Sequence, residues 1–493
     1  MMAARRLTTM FAALALISVI GCAPSEGAVA PASRASDGGS ATSPGQAGSA
    51  SPGSRLDRSD TTGAPGIGDP AFPLDGNGGY DVGHYTLKLS YDPASKLLAG
   101  SAAIQAKAVQ NLSRFDLDLH GFTVSRVTVG GSEAGFAREG DELVVTAPKM
   151  IAKDAPFTVT VDYSGVPDPV RNSSNLGTYG FIPTTDGAFV TSEPNGAKTW
   201  FPSNDHPADK ATYDFEITVP EGVTAIANGE QAAPPKTSGG RTTFVWREKH
   251  PMASYLATMT TGKFDVRTGT SPGGIPVYAA TDPKYRDALD LLYTKSAEIT
   301  DYWTTVFGPY PFSSTGGVID DFNAGYALEN QTKPIYGGFA PDSGIIAHEL
   351  AHQWFGDSLT IKRWQDLWLN EGFATYAEWL WSEHTGGATA EQMFRTAYAD
   401  KNNTMWTYPP GKPQPGDLFN DAVYTRGALA LHALRQKIGD TAFFDLIKKW
   451  AATYKYGNVT TDEFVAMAEQ TSGKELRPLF DAWLFQPTRP ALN

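Results

Sequence analysis

The residues best placed to do chemistry lie in one stretch, Ala347–Tyr376. His348, Glu349 and His352 form the pattern H-E-x-x-H, and a further acid, Glu371, follows after eighteen intervening residues. On an α-helix, residues four apart share a face about one turn from each other, so both imidazoles reach a single ion. Glu349 is turned roughly 100° from His348 and is poorly placed to bind that ion, so it faces a water held there instead. Catalytic zinc takes three protein ligands and keeps a fourth position for water. Glu371, in W-L-N-E-G-F-A, is the candidate third ligand, because the pattern around it predicts a second helix hairpinned against the first. The chemistry implied is metal-assisted amide hydrolysis with one Zn2+ per chain. The ion lowers the pKa of its bound water towards about 7 and polarises the scissile carbonyl. Glu349 takes the water's proton as general base and then, as acid, passes it to the leaving nitrogen. The other histidines have no comparable spacing and read as structural or surface residues.

The elements that must position these residues fall into two kinds. From Tyr80 to about Val266 the pattern has period two. Tyr85, Leu87, Leu89 and Tyr91 alternate with Thr86, Lys88 and Ser90, and similar runs recur at Phe122–Val129, Glu142–Thr146, Phe157–Tyr163, Tyr213–Val219 and Thr243–Trp246. Gly and Pro separate them at hairpin spacing, which predicts an all-β sandwich or saddle. After a hinge-like Gly269–Pro276 the period becomes 3.6: a long amphipathic helix around Ala288–Trp303 ends at Gly308-Pro309. Short β elements are expected around Gly316–Asp320 and Ala324–Asn330. Helices are expected at Leu369–Glu383, Ala390–Asn402, Ala422–Ile438, Thr441–Tyr454, Thr461–Gln470 and Leu476–Leu484. The fold class expected is therefore multidomain, an N-terminal β-saddle or sandwich followed by an α+β, helix-rich catalytic domain. The organisation expected is residues 1–22 signal, 23–75 tether, 76–266 β domain and 267–493 catalytic domain.

The 493 residues carry a formal net charge of −13, which argues against a nucleic-acid partner, since such binding needs clustered Lys and Arg. At the amino end, Arg5 and Arg6 precede an apolar run from Met10 to Ile20 that stops at Gly21-Cys22, the pattern of a signal peptide too short to span a membrane. Cys22 is the single cysteine, which excludes an internal disulfide and cysteine-ligated zinc. Val19-Ile20-Gly21-Cys22 resembles the lipobox of bacterial lipoproteins, in which the cysteine is diacylated and becomes the new amino terminus. The alternative is an ordinary cleaved signal with an incidental thiol. The paired arginines leave the general and twin-arginine export routes both open. From Ala23 to about Pro73 the chain is Ala, Ser, Gly and Pro with almost no large apolar residues, and it reads as a disordered tether. The expected location is the outside of a bacterial membrane, with lipidated Cys22 as the anchor.

With these residues placed, the chain resembles the gluzincin family of aminopeptidase N and leukotriene hydrolase over nearly everything from Tyr80 onward. The resemblance implies a β-saddle followed by a thermolysin-like domain. It also implies that Tyr326-Ala327-Leu328-Glu329-Asn330 corresponds to the family's G-x-M-E-N edge strand. There Ala327 and Asn330 border the substrate and Glu329 binds its free α-amino group. Tyr326 and Leu328 depart from the family's Gly and Met. Glu193, in S-E-P-N-G-A-K, is similar to a second acid contributed by the saddle to the same ammonium. Two carboxylates on one ammonium hold a peptide at a fixed distance from zinc, so that one residue is removed at a time. Tyr424, in V-Y-T-R-G-A-L, matches a tyrosine whose hydroxyl stabilises the oxyanion. Many members continue into further domains that cap the active site, whereas this chain stops at P-T-R-P-A-L-N, as in a short form without the helical cap. The activity implied is a zinc aminopeptidase acting on peptides with a free amino terminus. The rival readings are an endopeptidase with an open cleft, epoxide hydrolysis as in leukotriene hydrolase, and a surface binding protein with an inactive site.

Overall fold

The computed structural model describes residues 61–172 and 176–492. The expected signal peptide, Cys22 and most of the expected tether lie outside the described residues. Alternating burial builds the first sheet. In the strand Tyr80–Asp92, Tyr85, Leu87, Leu89 and Tyr91 are buried while Lys88 is exposed. Each such apolar side chain contributes about 1.5–3 kcal/mol when removed from water. This strand pairs parallel with Lys210–Pro220, placing Tyr85 against Tyr213 and Leu87 against Phe215, with the two tyrosine rings stacked at 4.8 Å. It is the single parallel junction in an eight-stranded sheet ordered Glu230–Ser238, Arg241–Ala253, Lys210–Pro220, Tyr80–Asp92, Leu97–Ala108, Pro156–Gly165, Thr123–Val129 and Ser132–Glu133. A smaller sheet joins Leu112–Asp118, Glu142–Ile151 and Gly135–Glu139. A five-stranded sheet is ordered Thr224–Ala227, Met259–Gly262, Ala188–Thr191, Gly177–Pro183 and Val170–Asn172. The loop that carries Glu193 leaves the end of Ala188–Thr191.

A second five-stranded sheet is ordered Asp265–Thr270, Pro276–Thr281, Thr315–Asp320, Ile335–Gly337 and Ala327–Leu328. Helix α1 (Leu289–Phe307) is the crossover between the parallel strands Pro276–Thr281 and Thr315–Asp320. The rest is helical apart from a parallel pair of two-residue strands, Thr360–Ile361 and Asn458–Val459: α2 (Ser343–His352), α3 (Trp368–His384), α4 (Ala390–Ala399), α5 (Gly427–Ile438), α6 (Asp440–Thr453), α7 (Thr461–Ser472) and α8 (Arg477–Phe480). The β-rich and helical parts share one hydrophobic core, and among the described residues no helix is long and apolar enough to cross a membrane.

Four expectations need correction. Residues 61–75, assigned to the disordered tether, are packed: Thr62 bridges to Arg114, and Asp69 and Asp75 are buried. Their Gly-Pro-rich composition hides an attachment made by polar contacts. Gly269–Pro276 is not a hinge but the turn of a hairpin, since Asp265–Thr270 pairs with Pro276–Thr281. The boundary at 266 therefore cuts a strand, and the change of architecture falls between Gly262 and Asp265. The strand Ile335–Gly337 escaped notice because it is only three residues long. Finally, the segment read as one helix over Ala422–Ile438 opens with a π turn at Ala422–Arg426 before α5.

Candidate active site

Helix α2 starts where the Asp342 side chain accepts from the backbone N–H of Gly344 and Ile345. Its Ile346, Ala347, Leu350 and Ala351 are buried, which points His348 and His352 towards α3. Helix α3 is almost wholly buried along its first three turns, including Glu371. It crosses the start of α5 without side chains between them: a methyl group on Gly372 would lie 2.9 Å from Gly427 Cα, and one on Gly427 would lie 2.9 Å from Gly372 Cα. This close approach brings Glu371, next to Gly372, near Tyr424, three residues before Gly427. The Tyr424 ring stacks on the His348 ring at 6.2 Å.

His348 Nε2 and His352 Nε2 each stand 3.3 Å from Glu371 Oε2, and the three donor atoms lie within 4.8 Å of one another. The far ring nitrogens are also engaged: His348 Nδ1 lies 2.6 Å from Glu378 Oε1 and His352 Nδ1 3.0 Å from the Phe355 carbonyl. Donation from both Nδ1 atoms leaves the Nε2 lone pairs facing Glu371, the arrangement that orients imidazole ligands. Two imidazoles and a carboxylate are the donor set of a catalytic zinc site. Two further groupings, Glu329–Glu349–His352 and Glu193–Glu329–Glu371, are equally compact. They offer one imidazole or none, so they describe the acidic surroundings of the ion better than its ligand set.

Those surroundings are strongly negative. Burial raises the Glu349 carboxyl, and Glu329 and Glu371 add to it against the pull of His348 and His352, so that it is pushed up to about 7. Glu193 is driven well above the carboxylate range by burial and then by Glu329. A buried pocket with this many acids is built for cations, and a metal ion with an ammonium beside it would meet that demand.

Glu329 follows the edge strand Ala327–Leu328, whose one partner among the described residues is Ile335–Gly337. The Glu329 carbonyl accepts from Gln353 Nε2 at 3.0 Å, and Gln353 Oε1 accepts from Thr332 N–H at 2.8 Å. Gln353, directly after His352, thus ties the edge strand to the metal helix. Asn330 is fully buried and its amide donates to the Leu256 carbonyl at 2.9 Å, which ties the residue after Glu329 to the turn Ser254–Leu256 of the β-rich part. The Tyr326 hydroxyl donates to the Thr178 carbonyl at 2.9 Å and lies 2.8 Å from Thr191 Oγ1, which clamps the edge strand to the β-rich part. Glu193 is 2 % exposed and its Oε1 has no hydrogen-bond partner, in a loop whose Ser192 Oγ accepts from Trp200 Nε1. Arg426, two residues after Tyr424, is buried and pairs with no carboxylate among the described residues. Its guanidinium donates to backbone carbonyls of Trp406, Trp483 and Gln486, among others, and so holds the π turn.

The structure therefore brings together His348, Glu349, His352, Glu371, Glu193, Glu329 and Tyr424, whereas Ala327 and Asn330 flank Leu328 and Glu329 in the chain and the Asn330 amide is taken up by Leu256. Sequence reasoning missed Glu378 and Gln353. Glu378 was findable, since it lies two turns after Glu371 on the same face of α3. Gln353 carried no signal beyond adjacency to His352.

Comparison with known proteins agrees with this geometry. The Peptidase M1 N-terminal domain model matches residues 82–256 and the Peptidase family M1 domain model matches residues 342–483. The M1 zinc metallopeptidase of Deinococcus radiodurans superposes with a TM-score of 0.81 at 28% identity, covering 87% of this chain and 98% of that one. Aminopeptidase N of Streptomyces lividans is 28% identical over 75% of this chain and 46% of its own length. For aminopeptidase M1-B of Oryza sativa subsp. japonica the figures are 27%, 83% and 50%. The chain thus spans about half the length of these aminopeptidase relatives but nearly all of the Deinococcus chain. Two matched models over well over half of the residues, with a shared fold and the H-E-x-x-H and Glu371 arrangement intact, place the chain in peptidase family M1.

Proposed function

We propose that the chain is a zinc aminopeptidase that removes single residues from the free amino end of peptides. The observation that carries this reading is the pair Glu193 and Glu329, buried and within 4.8 Å of Glu371 at their nearest oxygens. A hydrolytic site alone does not need two more acids. A site that measures from an ammonium does, because the ammonium then lies at one distance from the ligand set. His348, His352 and Glu371 would hold the zinc, which supplies Lewis acidity towards the scissile carbonyl and an activated water. Glu349, beside the ligands but not among them, takes a proton from the attacking water and delivers it to the leaving nitrogen. Tyr424 donates its hydroxyl to the oxyanion, a role for which burial keeps it protonated. The free edge of Ala327–Leu328 offers backbone groups to an extended substrate. The reading is also supported by the relatives: the Streptomyces and Oryza proteins are named aminopeptidases, and a variant of the Deinococcus zinc metallopeptidase is described as bound to a Tyr-Ser-Ala substrate.

The test is a panel of aminoacyl-4-nitroanilides and matched amino-blocked peptides, with zinc content measured on the same sample. Cleavage of the free-amine set alone is expected. Internal cleavage of blocked peptides would replace the exopeptidase with an endopeptidase, and stoichiometric zinc without turnover on either set would leave a binding protein.

We also propose that the protein is exported and held to a bacterial membrane by diacylated Cys22, on the strength of the apolar run and Val19-Ile20-Gly21-Cys22. Labelled palmitate should be incorporated by the native chain and not by Cys22→Ala, and incorporation by both would refute the anchor.

A further inference from the structure

The residues that precede the first long strand are attached to the site at two places. Asp75 is 6 % exposed; its Oδ2 accepts from Asn195 Nδ2 at 2.6 Å and its Oδ1 from Lys198 Nζ at 3.3 Å. Asn195 lies two residues after Glu193, and its own oxygen accepts from the Tyr179 hydroxyl at 2.9 Å. The Glu193 loop is therefore gripped from both sides, by Tyr179 of its own sheet and by Asp75 from outside it. Six residues earlier, Asp69 Oδ2 accepts from Trp364 N–H at 2.9 Å and lies 3.2 Å from His206 Nε2, while the Phe72 ring meets the Trp364 ring edge-on at 6.1 Å. Trp364 stands in the connection between α2 and α3. Its ring meets that of Tyr255 at 5.6 Å, and the Tyr255 hydroxyl donates to Glu329 Oε1 at 3.4 Å.

These contacts run from one short segment to both carboxylates assigned to the substrate ammonium; the route to Glu193 is polar throughout, and the route to Glu329 combines the Asp69 and Tyr255 hydrogen bonds with ring contacts of Trp364. Burying two aspartates carries a desolvation cost that an apolar packing strip would avoid. It is offset here by fixed donors, and what such donors give is orientation. Glu193 itself has an unpartnered Oε1, so nothing bonded to that atom holds it in place; its position comes from its loop.

Building on the aminopeptidase reading, we infer that residues 61–79 form a strap that sets the geometry of amine recognition, with Asp75 the positioning residue for Glu193 through Asn195 and Lys198. The strap touches no reacting atom. It acts on how firmly the substrate's amino end is held and leaves the hydrolytic step alone.

The test compares the full-length native protein with Asp75→Ala, Asp75→Asn, Glu193→Gln and the double variant Asp75→Ala/Glu193→Gln. Loss of a buried charge-assisted contact should raise the KM for an aminoacyl-4-nitroanilide by about one to two orders of magnitude in Asp75→Ala, with kcat and zinc content near native. Asp75→Asn keeps an oxygen for the Asn195 amide and should recover most of the loss. If Asp75 works through Glu193, the double variant should show the KM of Glu193→Gln rather than the product of the two effects. Hydrogen–deuterium exchange in residues 191–200 gives a readout independent of turnover: it should rise in Asp75→Ala while the α2 and α3 peptides keep their protection. Unchanged KM, multiplicative effects, or an unaltered exchange pattern would each overturn the strap. If the native protein cleaves no free-amine substrate, the aminopeptidase reading fails instead, and the exchange experiment still decides whether Asp75 holds the loop.

Discussion

The metal hairpin and the Glu193 loop face the same pocket but are held in different ways. In the hairpin, His348, Glu349 and His352 take their places from the pitch of one helix, and Glu371 from a neighbouring helix in direct contact with it. The Glu193 loop has no regular structure of its own around the carboxylate. Its contacts reach Asp75, 120 residues before Asn195, and its partner acid Glu329 is approached by Tyr255 from the β-rich part. A hairpin fixed by local geometry suits chemistry that must not drift, whereas a loop fixed by distant groups can be adjusted without disturbing the ligands.

Variants can test that division. On the hairpin, Glu349→Gln should lower kcat by 10²–10⁴-fold with zinc still bound, which single-turnover kinetics and metal analysis would show. Tyr424→Phe should lower kcat on the order of 10²–10³-fold with little change in KM, because the oxyanion donor acts in the transition state. On the loop, Glu193→Gln should raise KM by roughly 10–100-fold and change kcat less. A large fall in kcat there would abolish the contrast drawn between the two regions. Glu378→Gln, behind His348, should weaken zinc by about 10–100-fold in a chelator competition, leaving KM for substrate unchanged once metal is restored. Gly427→Ala should cost about 1–3 kcal/mol of stability, read as a fall in Tm.

The same contrast explains what could be read from the sequence. His348, Glu349 and His352 were legible because a four-residue spacing is enough to put two side chains on one face, and Glu371 because it sits in a second helical pattern. The saddle strands were legible from alternation such as Tyr85, Leu87 and Leu89. Glu193 and Tyr424 were not legible from periodicity; resemblance pointed to them, since their position depends on contacts far along the chain. The sequence of residues 61–75, most of the strap, reads as tether. Gly, Pro and Ala dominate residues 61–79, and the residues that attach it, Thr62, Asp69, Phe72, Asp75 and Asn77 among them, carry no period. The turn at Gly269–Pro276 reads as a hinge in sequence because Gly and Pro mark any reversal, whether or not strands pair across it.

The contact between Gly372 and Gly427 has a consequence for how the protein tolerates change. The separation of Glu371 from Tyr424 is set where two backbones touch, so it does not depend on how large side chains nearby happen to pack. Substitutions deeper in the helical core should therefore erode the melting temperature well before they erode the turnover rate, and drift among homologues should be permissive everywhere along this helix crossing except at the two positions that have no side chain to vary.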